Sequence, residues 1–93
     1  MSRSHPGVEE DIRAAWLWYR ERSLQAATNF EAEVRAAFVI VEEGPDRWPK
    51  TPLGVRRYKL KGFPYSVVYL NDEGGLYFLA VAHGHRGPDA GRS

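Results

Sequence analysis

Val8, Ile12, Ala15, Trp16 and Tyr19 recur at helical spacing, which predicts an amphipathic helix from about Pro6 to Arg22. Pro6 suits a first turn, and Glu9, Glu10 and Asp11 sit where the positive end of the helix dipole favours acids. Leu17 and Trp18 fall off the main stripe, which implies either a broad buried face or a partner surface. A second stripe is made by Ala27, Phe30, Val34, Ala37, Phe38 and Val41, with Leu24 one turn earlier, and predicts a helix beginning near Ser23. Gly44 and Pro45 stop it, the glycine through a left-handed cap and the proline because the helix cannot continue. The short link between the two helices predicts an antiparallel helical hairpin.

Residues 44–54 hold three prolines and read as a loop, which Trp48 pins to the body. From Val55 the period changes to two. Val55–Lys61 puts Arg57, Lys59 and Lys61 on one face of a strand and Tyr58 and Leu60 on the other. Gly62-Phe63-Pro64 turns the chain, Tyr65–Leu70 is rich in β-branched and aromatic residues, and Asn71–Gly75 is a strong turn signal. Leu76–Ala82 is apolar on both faces, as expected of a central strand covered by helices. The order ααβββ predicts an α+β fold: one domain over 1–93, with an N-terminal antiparallel helical hairpin packed on a small antiparallel sheet.

Composition sharpens this outline. The 93 residues are 43% hydrophobic and 27% charged, a globular balance for one small core. The absence of cysteine removes disulfides, thiolate zinc sites and thiol nucleophiles together. No apolar run approaches the roughly 20 residues of a membrane span, and the N-terminus has no apolar signal region, so the expected location is the cytoplasm, away from membranes. The net charge of +1 conceals an asymmetry. Residues 1–43 carry five Lys/Arg against eight Asp/Glu, whereas residues 44–93 carry eight against four. A basic sheet half points to an anionic partner; the alternative is ordinary surface variation.

Arg57, Lys59 and Lys61 in one row would repel one another unless solvated or faced by anions such as phosphates. The plainer reading is a solvated face, or an edge strand that uses lysine against aggregation. His83 and His85 lie beside Arg86 at the end of the third strand. A histidine there can take a proton, as general-base work on a phosphodiester requires, although a structural role for His83 at the sheet edge is the stronger reading. A metal site needs third and fourth ligands, and Asp89 is the only acid nearby, so neither a metal nor another cofactor is expected. The many aromatics suit a stacking platform, but most fall on stripes that must be buried. There is no glycine-rich phosphate loop.

The run Arg56-Arg57…Leu60…Phe63-Pro64-Tyr65…Val68-Tyr69…Ala80-Val81…His83…Arg86…Pro88, with Asp11-Ile12 and Trp18-Tyr19 in the first helix, Phe30 in the second and Pro45 after it, resembles the RelE/ParE superfamily of type II toxin–antitoxin toxins. The resemblance covers nearly the whole chain, and Phe-Pro-Tyr with His-x-x-Arg-x-Pro leans to the ParE-like, plasmid-stabilisation side. It implies a growth inhibitor that binds a target such as DNA gyrase and is neutralised by a small antitoxin, for which Leu17 and Trp18 are candidate contacts. The basic face for the target would be Arg57, Lys59, Lys61 and Arg86. The alternatives are a ribosome-dependent messenger-RNA endoribonuclease, with Arg57, Lys59, Arg86, His83 and His85 as its candidate catalytic residues, and an inactive relative that only binds an antitoxin. The cleaving branch relies on a second-strand arginine and a C-terminal tyrosine; here those positions fall on Ser66 and near Ala90. Family members begin with a β-strand. Only Met1–His5 precede Pro6 here, so that strand is expected to be shortened or absent.

Overall fold

A computed structural model describes residues 3–84. The chain opens with a two-residue strand, β1 (Arg3–Ser4), followed by helix α1 (Gly7–Arg20) and helix α2 (Leu24–Glu43). A single 3-10 turn over Pro45–Arg47 leads into the loop before strands β2 (Arg56–Lys59), β3 (Tyr65–Asp72) and β4 (Gly75–His83). The sheet order is β1-β4-β3-β2, with β1 parallel to β4 and the other pairs antiparallel. The first strand is therefore shortened, and its parallel pairing makes the sheet mixed rather than purely antiparallel.

The helices form as the periodicity predicts, with differences at their ends. Ser23 is the N-cap of α2, and its hydroxyl accepts a hydrogen bond from the Ala26 N–H at 3.2 Å. Leu24, the next residue, is 63% exposed and does not join the stripe. Gly44 is not in the left-handed region: its φ is −161°, ordinary extended backbone, and Pro45 alone ends the helix as it starts the 3-10 turn. The β3–β4 turn does need glycine, because Gly75 sits at φ +98°. There the Asp72 carboxylate accepts the Gly74 N–H at 2.8 Å.

One face of the sheet meets both helices. Val8, Ile12 and Ala15 of α1 and Phe30, Val34, Ala37 and Val41 of α2 are buried against Tyr58, Leu60, Val67, Tyr69, Phe78 and Val81. The register between β3 and β4 shifts after Val68, so that Leu79 stands opposite no residue. This bulge brings Phe78 and Val81, three apart, onto the same buried face. Trp48 packs edge-on to Tyr58 at 5.0 Å, which ties the proline-rich loop to the core as expected.

Two helix carboxylates finish the sheet at opposite edges. Asp11 of α1 accepts the Val81 N–H at 3.0 Å, on the side where β1 has already ended. Glu33 of α2 accepts the N–H groups of Lys61 and Gly62 just beyond β2. Strand β2 stops at Lys59, two residues before the expected end at Lys61, as the chain turns toward this carboxylate.

Candidate functional site

Residue alternation along β2 divides four neighbouring cations. Arg56 pairs with Tyr69 and faces the helices with Tyr58, whereas Arg57 and Lys59 pair with Val68 and Ser66 and face away. Arg56 is internal and structural. Its guanidinium donates to the Trp48 carbonyl and lies 3.4 Å from the Asp46 carboxylate, while its Nε is buried without a hydrogen-bond partner. Asp46 is also held by the Asn71 amide at 2.9 Å, and the Tyr69 hydroxyl donates to the Pro45 carbonyl at 2.7 Å. This network anchors the loop and sets the start of β2. On the other face Lys59 is exposed and Arg57 half-buried, above the buried Ser66 and Val68. Lys61 is exposed but lies past the strand.

His83 is exposed and belongs to the opposite face. It pairs with Tyr65, whose ring meets Tyr19 and Phe30 of the helices, and the His83 ring stands edge-on to Tyr65 at 5.1 Å. Together Trp18, Tyr19, Pro64, Tyr65 and His83 line a cleft of about 430 Å³. Burial raises the Tyr65 phenol above its usual range; burial and then the neighbouring Tyr65 raise that of Tyr19, so both stay protonated at neutral pH. Trp18 is 50% exposed and carries the Arg22 guanidinium 3.5 Å above its ring. That guanidinium also donates to the Trp18 carbonyl at 2.8 Å. Leu17, beside it, is 42% exposed.

The fold thus brings Arg57 and Lys59 together and keeps His83 apart from them, with the sheet between. His85 and Arg86 lie outside the described residues. Among the described residues, no three His, Asp or Glu side chains gather as a metal site would require, and no helix is long and apolar enough to cross a membrane. Sequence reading missed the cleft as a unit, because Tyr19, Pro64 and Tyr65 each had an ordinary explanation as core or turn. It also missed the roles of Asp11 and Glu33, although their placement carried a signal. Each sits on the rim of a buried stripe, Asp11 between Val8 and Ile12 and Glu33 between Phe30 and Val34. A carboxylate so placed needs a hydrogen-bond donor.

The described chain is thus a helical hairpin across one face of a four-stranded mixed sheet, with Arg57 and Lys59 on the outer face of the edge strand β2. A solved structure described as the chromosomal ParDE TA system from P. aeruginosa has the same fold: TM-score 0.77 at 13% sequence identity, over 90% of this chain and 95% of that one. A search of curated proteins found no match. The family described as ParE toxin of type II toxin-antitoxin system, parDE, matches residues 3–88, and the chain belongs to it.

Proposed function

We propose that this toxin arrests growth in the cytoplasm by binding its target, with DNA gyrase the leading candidate, and that a cognate antitoxin protein neutralises it. The observation that carries the binding reading is the division of polar groups between the two sheet faces. In-line cleavage of RNA needs a base, an acid and charge stabilisation around one phosphate. Arg57 and Lys59 face away from the helices while His83 faces them, so a phosphate held by the two cations is out of reach of the imidazole. The second-strand position beside them is Ser66, with no cation to add. Binding makes no such demand: Arg57 and Lys59 on one face suffice as a basic patch for an anionic surface.

The test is a map of messenger-RNA 5′ ends minutes after induction in a bacterial host, alongside supercoiling by purified gyrase. The expected result is arrested growth, intact messages and inhibited supercoiling, retained in His83→Ala and lost in an Arg57→Ala/Lys59→Ala double variant that still folds. New 5′ ends at fixed codon positions would overturn the binding reading in favour of a ribosome-dependent nuclease. Unarrested growth would mark a relative without toxicity.

A further inference from the structure

Three of the five large apolar side chains exposed among the described residues, Leu17, Trp18 and Leu24, lie at the connecting end of the helical hairpin. Exposed apolar groups concentrated at one place mark an interaction surface more often than scattered ones do. Trp18 is also a wall of the 430 Å³ cleft, whose size falls within the roughly 300–1,000 Å³ usual for ligand pockets.

The cleft's walls constrain what fits. Trp18 stands at 83° to Tyr19, Tyr19 at 60° to Tyr65, and Tyr65 at 89° to His83. These neighbouring rings meet edge to face and offer no parallel pair between which a nucleobase could stack. A pit of ring edges and faces instead suits one bulky apolar side chain. At the rim Arg22 lies over Trp18, and Glu21, 3.9 Å away, is the one acid close to that guanidinium among the described residues.

Among the described residues β1 pairs only with Tyr77 and Phe78, and past the Val81 N–H, which Asp11 takes, no strand flanks the last residues of β4 on that side. Because the Val81 N–H turns outward to Asp11, alternation turns the backbone of His83 outward as well, at the mouth of the cleft. An extended segment could meet the strand there and the cleft at once.

We propose that the cleft of Trp18, Tyr19, Pro64, Tyr65 and His83 is the seat for an extended segment of the antitoxin that inserts one large apolar side chain and sets an acidic neighbour against Arg22. This rests on the toxin reading for the identity of the partner. The probe is a display library of random linear peptides selected against the full chain. Selected peptides should share one Trp, Phe or Leu next to Asp or Glu. Trp18→Ala should weaken their binding by about tenfold or more, and Arg22→Glu should weaken it and remove its salt dependence. Both positions are exposed, and an unchanged circular dichroism spectrum confirms folding.

Failure to enrich any peptide overturns the proposal, as does binding indifferent to Trp18→Ala, or competition by a short oligothymidylate, which would make the cleft a nucleic-acid site. Growth arrest is read separately. Arrest with Trp18-independent peptides sinks the seat alone, whereas Trp18-dependent peptides without arrest sink the toxin reading alone.

Discussion

Replacing Asp11 by alanine tests how the first helix is held to the sheet. The Asp11 carboxylate accepts the Val81 N–H at 3.0 Å, and Val81 is only 4% exposed, so water cannot readily replace the lost acceptor. A hydrogen bond to a charged group contributes about 1.5–3 kcal/mol. Alanine returns up to about 0.7 kcal/mol through its better helix propensity. The expected net loss is therefore about 1–2 kcal/mol, which for a domain of this size lowers Tm by roughly 5–15 °C. In urea the midpoint should fall by roughly 1 M. Asp11→Asn separates charge from geometry. It keeps a carbonyl acceptor at nearly the same helix propensity, and a neutral bond is roughly half as strong as a charged one, so it should lose about half as much. Amide exchange gives the local readout: the Val81 N–H should exchange faster in the alanine variant, with Val67 and Tyr69 less affected. An alanine variant as stable as the parent, with the Val81 amide still protected, would refute the reasoning.

Three further outcomes follow from the packing. Tyr69→Phe removes the hydroxyl that holds the Pro45 carbonyl and should cost about 1 kcal/mol, read from the urea midpoint. Phe30→Ala empties a fully buried site among Tyr19, Phe63 and Tyr65; a loss of about 3–5 kcal/mol should broaden or abolish the cooperative thermal transition seen by calorimetry. The Arg35 guanidinium hydrogen-bonds both Glu9 oxygens at 3.0 Å and holds that carboxyl below its usual range. Its contribution is present above the ordinary carboxylate pKa and is lost as pH falls through the lowered folded value. Both side chains are largely exposed, so the effect is no more than a few tenths of a kcal/mol, and Glu9→Gln should remove that part of the difference between urea midpoints at pH 7 and pH 3.

Much of this architecture is legible in the chain because its signals are local. Val8, Ile12 and Ala15 announce α1, Ser23 marks the start of α2, and Arg57 alternates with Tyr58 along β2. What escaped notice depends on contacts distant in sequence. Leu24 has helical spacing but sits in a first turn with nothing above it. Gly44 suits a left-handed cap, yet the proline after it makes that cap unnecessary. The two-residue β1 is too short to show a period and exists through its pairing with Tyr77 and Phe78. The same holds for the site. The row of Arg57 and Lys59 follows from alternation alone. The separation of His83 from that row depends on the register of three strands and on the bulge at Leu79.

The carboxylates of Asp11 and Glu33 have a consequence for how the molecule comes apart. They come from different helices and grip opposite margins of the sheet, so the hairpin works as a strap buckled at both sides. Lifting the hairpin releases both buckles while it strips cover from Phe30, Tyr69 and Phe78. The species that has lost its helices is then the one that offers bare strand margins to a neighbour. Protection against sideways growth of the sheet is thus a property of the intact tertiary fold rather than of the strands themselves, and unfolding and self-association share one gate.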